Sequence, residues 1–126
     1  MKEQKQKITA LYVRTNQFGI DPIEPNSLST QKAVLMDYCK KHNLPMVTCY
    51  EDEGISGNNF DRPGLNEIIM GVKDGTIGTV IVTRVSRIGR DMVGVWKIQN
   101  LLKENSTYLI SVFDGIDSFD VLTEAY

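Results

Sequence analysis

The chain has 126 residues, a length typical of one domain with a single hydrophobic core. Hydrophobic residues make up 41% and charged residues 24%, which excludes a disordered or collagen-like chain, and no apolar run reaches the ~20 residues of a membrane-spanning helix. The net charge of −2 argues against a domain that holds nucleic acid by bulk positive charge alone.

Strand-like and helix-like segments alternate along the sequence. Short runs of β-branched, aromatic and other apolar residues predict strands over residues 8–14, 46–50, 78–82 and 108–113. Apolar residues at helical spacing predict helices over residues 29–42, 65 to about 75, and 91–105. Ser27 and Ser29 are alternative caps for the first helix, and Asp91 is placed to begin the third.

This order of elements predicts an α/β domain with a mostly parallel sheet. The functional crevice of such a sheet lies at the carboxyl ends of its strands. Two polar connections, residues 51–63 and 84–90, follow predicted strands at that edge. The first is thirteen residues long, and loops of that length inside a compact domain are usually functional.

All five arginines lie at predicted strand ends or in the adjoining loops, whereas the nine lysines are spread elsewhere: Arg14, Arg62, Arg84, Arg87 and Arg90. We therefore expect the arginines to converge on one edge of the sheet. Guanidinium groups gathered there would repel each other unless an anion lay between them, and a phosphodiester matches their planar donors. The alternative is that each arginine pairs with a surface carboxylate.

No motif points to a metal or a nucleotide cofactor. His42 is the only histidine and falls at a helix end, and the chain has no glycine-rich phosphate-binding motif. Cys39 and Cys49 form no disulfide framework, and we expect both to be reduced core residues of a cytoplasmic protein.

Four motifs, in this order and spacing, resemble the catalytic domain of the serine recombinases, the resolvase and invertase family: LYVRTNQ, NSLSTQK, DEGISGNNFDRPG and SRIGRD. FDGIDS is similar to the segment that follows the last core strand of that domain. The resemblance covers about residues 7–118 and is closest in form to the large serine recombinases, the integrases and transposases of phages and conjugative transposons. It implies a three-layer fold with a sheet of four or five strands flanked by helices.

The resemblance also implies site-specific DNA strand exchange. A serine hydroxyl attacks the scissile phosphodiester and forms a 5′-phosphoserine link, with no metal or other cofactor. Homodimers bound at two DNA sites assemble into a synaptic homotetramer, cut all strands and religate them after rotation.

Residue by residue, the match makes Arg14 a phosphate binder beside the nucleophile, with Gln31 as a polar support. Arg62 reaches in from the long loop, and Arg87 and Arg90 bind and neutralise the phosphate. We count Arg84 with these phosphate binders because it lies in the same connection. Ser86 stands where many members carry an aspartate, a candidate for proton transfer to the leaving oxygen. Replacing Arg87 by alanine is therefore expected to abolish function and to leave thermal stability nearly unchanged.

One departure concerns the nucleophile itself. The family pattern Tyr-x-Arg-x-Ser is matched by Tyr12-Val13-Arg14-Thr15-Asn16, so that Asn16 stands at the nucleophile position. An amide has no hydroxyl and cannot form the phosphoester. Three interpretations remain open: an inactive chain, natural or engineered; a substitute hydroxyl from Thr15 or Ser27; or a different register of the motif.

The resemblance gives residues 1–126 as an N-terminal catalytic domain, without the long dimerisation helix and the DNA-binding domains of the family. An alternative function is a non-catalytic regulatory or DNA-complex interaction domain on the same fold. A flavodoxin-like receiver domain is a further alternative, and the arginines at positions where it would carry acidic residues argue against it.

Overall fold

The computed structural model describes residues 7–15, 27–53, 62–89 and 91–117. The strands are β1 (Ile8–Arg14), β2 (Val47–Asp52), β3 (Ile77–Val82), β4 (Tyr108–Ser111) and the short β5 (Ile116–Asp117). The helices are α1 (Leu28–Lys41), α2 (Pro63–Lys73) and α3 (Met92–Glu104), and a single 3₁₀ turn spans Val85–Arg87.

The strands form one sheet in the order β2-β1-β3-β4-β5. The first four are parallel, and β5 runs antiparallel to β4. This confirms the predicted α/β domain with a mostly parallel sheet. Because the connections from β1 lead to β2 on one side and β3 on the other, the carboxyl ends of these central strands border one crevice.

Helices cover both faces of the sheet, as a three-layer fold requires. Successive residues of β1 point to opposite faces, so that Ala10 and Tyr12 pack with α2 and α3, whereas Leu11 and Val13 pack with α1. All four side chains are fully buried. A strand buried on both faces needs this continuous apolar run, which ends at the charged residue Arg14.

The ends of the elements differ from the predictions in three places. Strand β2 runs to Asp52, two residues further than its apolar run, because Asp52 pairs in register with Arg14 and its side chain is satisfied by hydrogen bonds. Strand β4 ends at Ser111 instead of residue 113. Strand β5 was not predicted, since two residues carry no periodicity.

The predicted caps are present on both helices. The Ser27 hydroxyl accepts a hydrogen bond from the Thr30 amide at 3.1 Å and caps α1. The Asp91 carboxylate accepts from the amides of Val93 and Gly94 and caps α3. None of the helices within the described ranges is long and apolar enough to span a membrane.

Both cysteines are free thiols. Cys39 lies in the core beneath α1, whereas Cys49 is only partly buried on the edge strand β2, so that the prediction of two core residues holds for the first alone. Burial raises the pKa of both thiols above the usual value. His42 is exposed at the end of α1, where its ring stacks on Tyr38.

Candidate active site

Two arginines from distant parts of the chain hold each other by their main-chain carbonyl groups. Arg14 ends β1 and Arg87 ends the 3₁₀ turn that follows β3. Arg14 donates from Nε to the Arg87 carbonyl oxygen at 2.8 Å and from Nη2 to the Ser86 carbonyl oxygen at 2.9 Å. Arg87 Nη1 donates in return to the Arg14 carbonyl oxygen at 3.2 Å. Their exposed fractions are 1% and 3%, so this reciprocal pair is a buried contact.

A third arginine completes this arginine cluster, which we define as Arg14, Arg62 and Arg87. Arg62 Nη1 donates to the same Arg87 carbonyl oxygen at 2.9 Å, and its guanidinium lies 5.6 Å from the centre of the Tyr12 ring. The Arg62 side chain is 0% exposed. The structure thus brings together one arginine from each of the three predicted segments.

Gln31 fixes the main chain of Arg14. Its Oε1 accepts from the Arg14 amide at 3.2 Å, and its Nε2 donates to the Arg14 carbonyl oxygen at 3.0 Å. Gln31 is 1% exposed and projects from the first turn of α1. Because its amide satisfies both polar groups of one residue, helix α1 sets the position at which β1 ends.

Asp52 is a site residue that sequence reasoning missed. Its carboxylate accepts from the Tyr12 hydroxyl at 2.7 Å and from the amides of Gly64 and Leu65 at 2.8 and 3.0 Å. The side chain of Arg62, which precedes α2, makes no capping bond, and the distant Asp52 caps the helix in its place. The available signal was an acid shortly before a helix that lacks a cap of its own.

The turn into α2 requires glycine at position 64. A Cβ atom there would lie 2.8 Å from the Glu51 carbonyl oxygen and 3.0 Å from Asp52 Oδ2. Pro63 occupies the first turn of the helix, where an amide hydrogen is not needed. The Arg-Pro-Gly sequence therefore brings the helix end against β2 and holds Arg62 at the site.

Burial shapes the electrostatics around Arg62 and Tyr12. Loss of solvent lowers the pKa of Arg62, and the neighbouring Tyr12 and Asp52 partly offset this effect. Burial also raises the pKa of Tyr12 far above its usual value, helped by its hydrogen bond to Asp52 and opposed by Arg62. Tyr12 is therefore a neutral donor to Asp52 across the physiological range.

The remaining predicted residues lie elsewhere or outside the described part of the chain. Arg84 is partly exposed; its Nη1 lies 3.6 Å from Asp114 Oδ1, and its guanidinium lies 5.6 Å from the Phe113 ring centre. Ser86 contributes its carbonyl oxygen to Arg14. Asn16 and Arg90 fall outside the described residues.

The expectation that an anion must separate the arginines is wrong for the cluster as it stands. Main-chain carbonyl oxygens receive the guanidinium groups, because a carbonyl carries partial negative charge and two acceptor lone pairs. The alternative of surface ion pairs is also wrong for these three buried residues, although it describes Arg84 with Asp114. Within the described ranges, no group of three histidine, cysteine or acidic residues is placed to hold a metal ion.

The two candidate substitute hydroxyls differ in their surroundings. Ser27 lies at the start of α1, where its hydroxyl caps the helix and donates to Thr30 Oγ1 at 2.6 Å. Thr15 follows Arg14 directly and is 6% exposed, and its amide donates to the Asp52 carbonyl oxygen at 3.1 Å. The capping role gives Ser27 a structural function.

Tyr12→Phe tests the burial of the tyrosine through pH. Because the folded-state pKa is raised above the unfolded value of about 10, the stabilisation is complete below pH 10 and falls as the pH rises further, by about 1.4 kcal/mol per pH unit for one group. The variant lacks the hydrogen bond to Asp52 and is expected to be less stable at pH 7 by about 1 kcal/mol. Urea unfolding at pH 7 and 10.8 should show this difference shrinking or reversing. A difference that stays the same at both pH values would contradict the assignment.

Arg87→Ala tests whether the cluster is structural. The sequence alone predicted almost no effect on stability, but the buried guanidinium bonds the Arg14 carbonyl oxygen and its removal is expected to cost about 2 kcal/mol. Arg84→Ala is the matched control, since it removes a partly exposed arginine and should cost less than about 1 kcal/mol. Equal losses of unfolding free energy in the two variants would contradict the buried contact.

Comparison with known proteins agrees with this geometry. The family model described as "Resolvase, N terminal domain" matches residues 9–124. The chain is similar in fold to the N-terminal catalytic domain of TP901-1 integrase, with a TM-score of 0.80, 23% identity, and 94% of this chain and 87% of that chain covered. It is also similar to the C-terminal catalytic domain of ISC1926 TnpA, an IS607-like serine recombinase, with a TM-score of 0.72, 22% identity, and 94% and 77% coverage.

A resolvase family site-specific recombinase from Streptococcus pneumoniae has a TM-score of 0.71 and 27% identity, with 96% of this chain and 85% of that chain covered. No curated protein sequence matches the chain at a significant level. The family match spans nearly the whole sequence and includes the strand ends that carry the arginine cluster. The chain belongs to the resolvase N-terminal domain family, the catalytic domains of the serine recombinases.

Proposed function

We propose that the chain is the catalytic domain of a site-specific recombinase and that the arginine cluster forms part of the binding site for a DNA phosphodiester. The observation that carries this proposal is the shared carbonyl oxygen of Arg87, which receives Arg14 and Arg62 from two separate segments. Three cations held within one hydrogen-bonded unit create a strongly positive locus on a chain whose net charge is −2. Such a locus suits an anion bound at one point better than a long stretch of duplex.

Phosphoryl transfer needs placement and charge stabilisation more than it needs additional covalent chemistry. In the proposed reaction a serine oxygen attacks phosphorus, the bond to the 3′ oxygen breaks, and that oxygen takes up a proton. The phosphoester bond is exchanged for another one, so religation needs no external energy source. The proposed roles of Arg14, Arg87 and Arg90 are to neutralise the charge on the phosphorus oxygens, and that of Arg62 is to reach the same group from the long loop.

Gln31 and Ser86 support the arginines through the main chain. Gln31 holds both polar groups of the Arg14 backbone, which suits a residue beside the nucleophile position. The Ser86 carbonyl oxygen orients the Arg14 guanidinium, and proton transfer by the Ser86 hydroxyl is a further proposed role. Arg84 is proposed as an outer contact to the DNA backbone, because about a third of its side chain is exposed.

Asn16 sets the limit of this proposal. An asparagine amide does not form a phosphoester, so the chain with Asn16 is proposed to bind the phosphate without cleaving the DNA. This residue favours a second candidate function: a non-catalytic regulatory or interaction domain within the DNA complex. Both candidates share a homodimer and a synaptic homotetramer on DNA in the cytoplasm, where the two thiols stay reduced.

Restoring the hydroxyl separates the two candidates. The full gene product with Asn16→Ser is expected to form a covalent adduct with a nicked DNA substrate, detected by denaturing gel electrophoresis and by mass spectrometry of the phosphoserine peptide. The protein with Asn16 should form none, because it lacks the attacking oxygen.

Two control variants identify the attacking oxygen. In the Asn16→Ser background, Thr15→Ala and Ser27→Ala should leave the adduct at residue 16. An adduct formed with Asn16 in place and lost in Thr15→Ala would instead assign the nucleophile to Thr15. Absence of any adduct from an assembled Asn16→Ser complex would favour the non-catalytic function.

A further inference from the structure

We propose that Asp114 is a positioning residue for the arginine cluster, an inference that rests on the proposed function. Asp114 lies in the turn between β4 and β5, outside the cluster itself. Its Oδ2 accepts from the Val85 amide at 2.8 Å and from the Ser111 hydroxyl at 2.6 Å, and its Oδ1 lies 3.6 Å from Arg84 Nη1. One carboxylate thus joins the end of β4 to the segment that follows β3.

The contact to Val85 fixes the start of the 3₁₀ turn. Arg84 precedes this turn and its side chain makes no capping bond, so the Asp114 carboxylate supplies the acceptor from another element. The turn spans only Val85–Arg87, and its last two residues provide the carbonyl oxygens that receive Arg14 and Arg62. Fixing the amide of Val85 therefore restricts where those two oxygens lie.

Neighbouring contacts make this connection stiff. The amides of Val112 and Phe113 donate to the carbonyl oxygens of Val82 and Thr83 at 3.0 and 2.8 Å, which extends the β3–β4 pairing beyond both strands. Arg84 lies over the Phe113 ring while it pairs with Asp114. The aspartate is therefore held on two sides, and we infer that the end of β4 acts as a fixed support for the 3₁₀ turn.

An aspartate in a hairpin turn usually serves that turn alone. Asp114 differs because two of its contacts reach residues 84 and 85, about thirty positions earlier in the chain. Asp74 is a suitable control, since its carboxylate also accepts from a backbone amide and a threonine hydroxyl, but both belong to Thr76 in its own turn. Comparison of the two aspartates separates positioning of the cluster from ordinary turn stability.

The test measures hydrogen exchange at the Arg14 side chain in the 126-residue chain by NMR. In the unsubstituted protein the Arg14 Nε–H should exchange slowly, because it is buried and bonded to the Arg87 carbonyl oxygen. Asp114→Ala is expected to speed this exchange at least tenfold, whereas Asp74→Ala leaves it within twofold even if both variants lose similar melting temperature. Unchanged exchange in folded Asp114→Ala would overturn the proposal.

Asp114→Asn provides the same comparison if the alanine variant does not fold, since an amide retains one oxygen acceptor in place of two. A kinetic readout follows in the full gene product with Asn16→Ser: Asp114→Asn should lower the cleavage rate at least tenfold and change the DNA dissociation constant less than twofold. Equal rates with and without Asp114→Asn would contradict positioning. The exchange measurement needs no activity, so failure of the recombinase function and failure of this inference are distinguishable.

Discussion

The carbonyl oxygen of Arg87 receives two guanidinium groups, and the geometry of the site depends on this shared acceptor. Buried cations are costly unless polar groups replace the water they lose. Here main-chain oxygens of Arg14, Ser86 and Arg87 take that role, and Asp52 adds a nearby negative charge. Because the acceptors belong to the backbone, each arginine also fixes the chain segment that carries its partner. Binding of side chains and positioning of loops are therefore one and the same interaction.

The fold brings these groups together through its strand order. Strands β1 and β3 are neighbours and parallel, so that Arg14 and the 3₁₀ turn leave the sheet at the same edge. Strand β2 adds Asp52 on the other side of β1, and Asp52 in turn holds the start of α2 and with it Arg62. Each contact between segments lies one strand away from the next. This arrangement allows residues up to 73 positions apart to form a single unit.

The sequence predicted the architecture well because its signals are local. Apolar runs and helical spacing identified four strands and three helices, and the caps Ser27 and Asp91 were readable from residue type. The meeting of Arg14, Arg62 and Arg87 also followed from their places at strand ends. Their burial and their bonds to carbonyl oxygens did not, because backbone acceptors leave no trace in the sequence. Asp52 and Asp114 were missed for a related reason: each caps an element distant from its own position.

One NMR measurement addresses the shared contact directly: the scalar coupling across a hydrogen bond between Arg14 ¹⁵Nε and the Arg87 carbonyl ¹³C. In uniformly labelled protein without DNA we expect a cross peak between these two nuclei, since donor and acceptor lie 2.8 Å apart. Couplings across the sheet hydrogen bonds in the same spectrum serve as the internal standard. A spectrum that shows the sheet couplings but joins Arg14 Nε to a different carbonyl, or to none, would contradict the account.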